Sequence, residues 1–553
     1  MIKNSSPRRV SIVPGLFFCL ALVWCVFLFQ GMPASDLDDW YKTLTARQIP
    51  WDTYLSTFFR PWSLNPHWDG QTDALDGIHT KRVLSAILLK LSQQFFGLSP
   101  FAMYFLTKGI FFAGCVSIIF LLLIEVVPWP YAVLGTLVFL FVPAHYLHAL
   151  WIADAATLCY FFLFLGALIF HTIQKNIREE GSQKQFAWLL LTLFAAGWTG
   201  IKAKESMLAL PLIAFIYSLI SFRSWRQAPF KWFLLNAAMA FVAFQIVPIT
   251  NLNSGAFPSA HFNLGTITRL FFRNYDCGYD NEAVSAFFSW EHVFPVSVAR
   301  TLGFFLLWAI VISLGFLGWR KGILKNKFAV SFWDHSLIRI CTIWLLVEMP
   351  FLGMFQADPR YFSGTMAPII VLLTRLAYCA IKEGGKFWGL GLLLLWVVSA
   401  GFSVYENSQN IISLRLNLGR KFNYLLESAR MVLEDLKNQK VSDNLEVGKF
   451  YAGIQNNQIE APIKNHVFYA DLGISYDGWN RVPLGQNTFD NFKLYSKNGY
   501  KYYITVENLD LSGNTEIRQI GTVDGMNRCS LLERILSKKK KKRPAILRIY
   551  KHE

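Results

Sequence analysis

The chain has 553 residues, of which 54% are hydrophobic and 16% charged, and its mean hydropathy is +0.34. These values exclude a disordered chain and an ordinary soluble domain, and they place the protein among membrane proteins. A formal net charge of +17 invites a nucleic-acid partner, but the basic residues flank apolar segments. That is the pattern of cytoplasmic loops and anionic lipid, so the expected partners are membrane lipids and not nucleic acid.

The first apolar run, "VSIVPGLFFCLALVWCVFLFQG", is long enough to span a bilayer and reads as a retained first helix rather than a cleaved signal. Ten further spans are expected at 101–125, 130–148, 151–172, 186–200, 204–222, 231–250, 294–318, 335–356, 361–381 and 386–404. The total is about eleven by the length criterion. The segment 82–98, "RVLSAILLKLSQQFFGL", carries Arg82, Lys90 and two Gln, so it reads as an amphipathic helix lying in the interface. Lys3, Arg8, Arg9, Lys175, Arg178, Lys184, Arg223, Arg226, Lys231, Arg320, Lys321, Lys325, Lys327, Lys382 and Lys386 all fall on one side of this arrangement. The positive-inside rule therefore predicts a polytopic α-helical membrane protein with its N-terminus inside and its C-terminus outside.

Three larger pieces then face outside: 32–100, 251–293 and 405–553. The domain division expected is 1–404 transmembrane, 405–440 an amphipathic linker helix, and 441–553 a soluble α/β domain. The linker is "IISLRLNLGRKFNYLLESARMVLEDLKN". Strands are expected at "HVFYADLGI", "KYYITVEN", "EIRQIGTV" and "AILRIYK", with a helix at "SLLERIL". The "KKKKKR" run from Lys538 reads first as a solvated loop, with a contact to anionic lipid or polysaccharide as the alternative. Six of the 8 Cys lie in or beside apolar segments, as small core residues do; Cys277 and Cys529 are left as the pair whose bridging sequence alone does not decide.

Polar residues at the helix ends are not distributed evenly between the two faces. Asp36, Asp38 and Asp39 in "ASDLDDWYKTL", His145, His148 and Asp154 in "VPAHYLHALWIAD", Lys202, Lys204 and Glu205 in "GIKAKES", and Asp358 and Arg360 in "QADPRYF" all belong to the outer face. The inner loops read as plain Lys and Arg. Each group also has an ordinary explanation: Asp as a helix cap, a His pair as structural, Lys as a snorkelling side chain. Their gathering on one face is what points to function, because ionisable groups near a membrane are costly. Such a face has no nucleotide pool, so a sugar donor there must ride on a membrane lipid. Transfer from a polyprenyl-phosphate sugar needs a carboxylate to take the acceptor proton, cations for the leaving phosphate and an apolar groove for the tail. The first outer loop supplies the carboxylate; Arg82, Lys204 and Arg360 supply cations.

These motifs resemble the C-type glycosyltransferase superfold, which includes protein O-mannosyltransferases and the lipid A aminoarabinose transferase. "DDWYKTLTARQIP" is similar to its acidic pair and short helix after the first span. "HTKRVLSAILLKLSQQFFGLSPFA" is similar to its basic residue and interfacial helix. "LFVPAHYLHALWIAD", "KAKESMLALPLIAFIY" and "PRYFSGTMAPIIVLL" follow in the family's order, and the likeness covers roughly residues 1–400. It implies inverting transfer from a polyprenyl-phosphate sugar at the outer face of a bacterial inner membrane, to a lipid A or core, cell-envelope glycan or protein hydroxyl. Carried over, Asp38 is the base, with Asp39 and Asp36 beside it. Lys81, Arg82, Lys204 and Arg360 hold the donor phosphate. His145, His148, Glu205 and Tyr361 stand near the acceptor. Asp38 and Asp39 are the candidates for a divalent cation, which the family uses variably, and "HWDGQTDALDG" reads as a solvated loop. Leu147 stands where the tetratricopeptide-bearing O-mannosyltransferases have Glu, and their repeats are absent, which argues against assigning their protein substrate.

Two other classes fit a polytopic chain. A lipid-linked-sugar transporter or flippase needs polar cavities on both faces. A polysaccharide polymerase or ligase would depend on Arg and His of a late outer loop such as 251–293.

Overall fold

The computed structural model describes residues 7–29, 46, 49–59, 83–97, 100–141, 155–221, 227–244, 332–354, 362–383, 431, 449–452, 500–505, 511, 517–524 and 546–552. The helices, in chain order, are α1 (Pro7–Phe29), α2 (Trp51–Phe59), α3 (Val83–Phe96) and α4 (Pro100–Tyr104). A π-helical turn, Phe105–Gly109, runs into α5 (Ile110–Val126); α6 (Trp129–Phe141), α7 (Ala156–Arg178) and α8 (Gln183–Ala203) follow. A 3-10 turn, Glu205–Leu208, leads into α9 (Ala209–Ile220), and then come α10 (Pro229–Ala243), α11 (Ser336–Met354) and α12 (Phe362–Glu383).

Nine of the expected spans thus coincide with helices; 294–318 and 386–404 lie outside the described residues. By length and composition, 3 helices among the described residues can cross a membrane: Phe101–Val126, Ala156–Arg178 and Gln183–Ala203. Shorter apolar helices include Ile12–Val26, Trp129–Phe141, Ser206–Ile220, Pro229–Ala243 and Gly364–Cys379.

The bundle wears apolar side chains on its outside as well as its inside. Ile12, Leu16, Val23, Trp188, Phe230, Phe233 and Phe244 are exposed, whereas Phe120, Phe139, Leu163, Phe170 and Trp344 are buried. A soluble core would not leave such a surface, and lipid would cover it. Since lipid is as apolar as Leu, helices hold together through close packing and hydrogen bonds. Gly364 shows the first: a Cβ there would lie 2.4 Å from the Tyr160 ring, so α12 and α7 approach as only glycine allows. Ser117 shows the second. Its hydroxyl donates to Pro14 O at 2.9 Å and so ties α5 to the proline turn of α1.

Helix α3 buries polar and apolar residues on one face: Ser85, Lys90, Ser92 and Gln93 are buried with Val83, Ala86 and Leu89, while Phe95 and Phe96 at its end are exposed.

The C-terminal strands β1 (Lys449–Ala452), β2 (Tyr500–Thr505), β3 (Ile517–Asp524) and β4 (Ile546–His552) form one sheet in the order β1-β2-β4-β3. β1 pairs with β2 in parallel; β2 with β4 and β4 with β3 are antiparallel. Three of the expected strands are present. "HVFYADLGI", the "SLLERIL" helix and the "KKKKKR" run lie outside the described residues, as does the linker helix apart from Met431. The strand at Lys449–Ala452, not expected, is four residues long, too short for alternation to be legible. Ile517, Ile549 and Tyr550 are buried in this sheet.

Candidate functional site

Of the site residues expected from sequence, Lys204 is described in full and Glu205 through its backbone. Asp36, Asp38, Asp39, Lys81, Arg82, His145, His148, Arg360, Tyr361, Cys277 and Cys529 lie outside the described residues.

Lys204 sits at a break in the chain. Helix α8 ends at Ala203, Lys204 is extended (φ −162°, ψ 150°), and the 3-10 turn starts at Glu205. The break is held by hydrogen bonds: Lys204 N donates to Gly200 O at 3.0 Å, and its carbonyl accepts from Met207 N at 3.2 Å. That carbonyl also receives the Cys159 thiol at 3.7 Å, which fixes the break against the first turn of α7. The Lys204 side chain is 5% exposed and that of Lys202 0%, with Lys202 Nζ 5.2 Å from the centre of the Trp198 ring. Snorkelling is therefore not their arrangement: both ammonium-bearing chains turn into the bundle. Burying a lysine costs several kcal/mol unless something negative or polar meets it.

Two further lysines belong to elements that pack together near the start of the second long span. Lys108 lies in the π-helical turn and is 1% exposed. The turn packs against α1, α3 and α7, and π-turns inside α-helices are frequent at functional sites. Lys90 donates to Ile49 O and lies 5.3 Å and 5.5 Å from the ring centres of Trp51 and Tyr54. The Tyr54 hydroxyl donates to Ala46 O at 3.0 Å. Burial pushes the Lys90 amine below the usual lysine range, opposed by the charge of Asp52, and burial pushes the Tyr54 phenol up. Together they anchor residues 46 and 49–54, which follow the Asp36–Asp39 cluster in sequence. A hydrogen bond from a charged donor contributes about 1.5–3 kcal/mol. Lys90→Met is accordingly expected to speed amide exchange across Trp51–Phe59 about tenfold or more. Unchanged protection, measured by mass spectrometry, would remove Lys90 as the anchor. In sequence Lys90 signals only amphipathicity; the partner 41 residues away is invisible there.

A second polar group lies at the other end of the bundle and corrects the expectation that polar chemistry is confined to one face. Glu125, at the end of α5, accepts from Lys175 and lies 3.4 Å from His171 Nε2, both on α7. His171 Nδ1 is 3.1 Å from the Ser336 hydroxyl at the start of α11, and the His335 ring stacks on His171 at 5.4 Å. Arg375 of α12 donates to Val126 O and lies 5.6 Å from the Tyr378 ring. Both His171 contacts are satisfied when Nε2–H donates to Glu125 and Nδ1 accepts from Ser336. The charge rule puts all these residues on the N-terminal side, and packing brings them into one network of four helices. Sequence misses it because Glu125, His171 and Arg375 each sit alone in an apolar run. His171 is 1% exposed, so Glu125→Ala strands a buried ring nitrogen; Lys175, 43% exposed, loses little. The expected cost is about 1–3 kcal/mol, read as a lower melting temperature in detergent micelles. Glu125→Gln, which still accepts from His171, is expected to recover most of it.

Among the described residues no group of three or more His, Cys, Asp or Glu could hold a metal ion.

No family model and no curated protein sequence matches the chain. Among solved structures it is similar to ArnT from Cupriavidus metallidurans in the apo state, at 12% identity and a TM-score of 0.47, covering 99% of this chain and 98% of that one. It is similar to the same protein bound to undecaprenyl phosphate, at 13% identity and a TM-score of 0.44, covering 97% of each chain. It is also similar to the Archaeoglobus fulgidus oligosaccharyltransferase, at 13% identity and a TM-score of 0.45, covering 91% of this chain and 70% of that one.

Proposed function

We propose that this protein is an integral-membrane glycosyltransferase that moves a glycosyl residue from a polyprenyl-phosphate carrier to a hydroxyl of a lipid, glycan or protein acceptor. The reading places the reaction at the outer face of a bacterial inner membrane. Asp38 takes the proton of the acceptor hydroxyl, and the oxygen attacks the anomeric carbon from the face opposite the phosphate. The bond from that carbon to the phosphate oxygen breaks, the polyprenyl phosphate leaves with the electron pair, and the configuration inverts. Asp36 and Asp39 flank the base. Lys81, Arg82, Lys204 and Arg360 hold the phosphate charge as it develops. His145, His148, Glu205 and Tyr361 stand near the acceptor. Asp38 and Asp39 are also the pair that would hold a divalent cation, whose contribution would be to steady the phosphate.

The observation that carries the reading is the Lys204 break: an extended residue between two apolar helices whose ammonium-bearing chain is buried, 5% exposed, with Lys202 buried beside it. Ionisable side chains inside a membrane bundle mark ligand and ion pathways by default. The anchoring of residues 49–54 by Lys90 supports it, because in sequence these residues follow the acidic cluster.

The test is transfer from a panel of radiolabelled polyprenyl-phosphate sugars to membrane acceptors by purified protein in lipid nanodiscs. Label reaching an acceptor supports the reading and names the donor. Vectorial movement of the intact lipid-linked sugar without transfer would establish the transporter reading in its place. Extension of a lipid-pyrophosphate glycan that depends on the 251–293 loop would establish the polymerase reading.

A further inference from the structure

The chain enters α11 through a histidine that acts as the helix cap. His335 stands immediately before Ser336, and its Nδ1 accepts from Leu337 N at 3.3 Å. Its carbonyl accepts from Ile338 N at 3.1 Å and Arg339 N at 3.4 Å, so the first turn hangs on this one residue. Capping of this kind normally falls to Ser, Thr, Asp or Asn, whose oxygens accept at any pH near neutrality. An imidazole nitrogen accepts only while it carries no proton. His335 also stacks on His171 of α7 at 5.4 Å, with the rings 30° apart, and His171 is held in turn by Glu125 and by the hydroxyl of Ser336. The same residue thus caps α11 and docks its start on α7.

The charges around it make protonation costly. Facing His335 among the described residues are His171 and Lys175 of α7, Glu125 of α5 and Arg375 of α12. Asp334 and Arg339 belong to its own turn, where Arg339 Nε donates to Trp333 O at 3.0 Å. On α9, which also packs against α11, the titratable group is Tyr217, and it accepts from Arg178. The one facing carboxylate, Glu125, is already engaged by Lys175 and His171. A proton on His335 adds a cation beside cations, at the N-terminal end of a helix, where the dipole disfavours positive charge. It also turns Nδ1 from an acceptor into a donor aimed at another donor, Leu337 N.

We propose that His335 is a proton-released latch at the start of α11: neutral, it caps the helix and stacks on His171; protonated, it does neither, and the first turn of α11 comes away from α7. Because the folded state holds the neutral ring, the latch contributes fully above the ordinary histidine value, about pH 6.5, and its contribution is lost as pH falls below it. The upper part of that interval lies above the ordinary carboxylate range, about 4.3. The latch belongs to the network at the end of the bundle away from Lys204. It ties the seating of α11 to the pH on that side of the membrane, and it stands whether or not sugar transfer is the reaction.

The experiment follows amide exchange of Leu337–Ile340 by mass spectrometry, corrected for the intrinsic effect of pH, in the full chain in nanodiscs at pH 8 and pH 5.5. Opening takes up the proton that the closed latch excludes, and pH 5.5 is one unit below the ordinary histidine value. Wild type is therefore expected to exchange about tenfold faster at pH 5.5. His335→Asn supplies an oxygen that caps without titrating, so its exchange is expected to stay slow and within threefold between the two pH values. His335→Leu has no cap and is expected to exchange fast at both. The inference is overturned if wild type shows no pH dependence. It is also overturned if His335→Asn keeps the wild-type dependence, which would move the step to His171 or another group. A second measurement needs no variant: in 15N spectra of histidine-labelled wild type, His335 is expected as the Nε2–H tautomer at pH 8. The Nδ1–H tautomer there would overturn the latch even if neither variant folded.

Discussion

Replacing Asp38 by Asn is expected to lower kcat for sugar transfer by about 100- to 10,000-fold, the usual range for a general base, with KM for the donor within threefold. The carboxylate acts only as the acceptor hydroxyl loses its proton, so its removal falls on the chemical step and leaves ground-state binding in place. Asn keeps the size and removes the basicity. Because the loop holds three acids in four positions, Asp36→Asn and Asp39→Asn must be measured alongside. If Asp38→Asn keeps more than a tenth of wild-type kcat while one neighbour loses it, the base is reassigned to that neighbour.

The second large effect is expected at Lys204. Lys204→Met preserves the unbranched stem in its buried seat and deletes the charge. An interaction with charge developing on a leaving phosphate is worth about 3–4 kcal/mol in a water-poor site, or roughly 100- to 1,000-fold in kcat/KM. A variant that stays folded, as read from its melting temperature, and loses activity to this extent is the mark of a charge kept for its ligand. A variant that loses stability and keeps kcat/KM within threefold would make Lys204 a structural residue of the helix break.

Much of the fold is legible in the residues because membrane helices advertise themselves locally. A run of apolar residues spanning a bilayer is a property of one segment, and so is the Lys/Arg bias of its flanks. The alternating segments "KYYITVEN", "EIRQIGTV" and "AILRIYK" form strands for the same reason. "KFYA" has too few positions to show a period and becomes a strand only by pairing with β2.

The polar interior is legible only in part. That Lys204 is a candidate follows from its place in "GIKAKES", but sequence leaves open whether it snorkels or turns inward, since both suit a lysine at a helix end. Its burial in the packed bundle, at 5% exposure, decides it. Lys90 reads as the polar face of an interfacial helix; its role as an anchor needs Ile49, Trp51 and Tyr54 brought to it. Glu125, His171 and Arg375 read as isolated polar residues in apolar runs.

By itself, then, the sequence determined the membrane character and the positions of most of the described helices. Both are sums over neighbouring residues. The tertiary structure alone decided which buried polar groups share a site, because partners such as Lys90 and Ile49, or His171 and Ser336, stand on different segments. No local pattern encodes such a pairing; it arises when helices pack closely enough for hydrogen bonds to form across their seams.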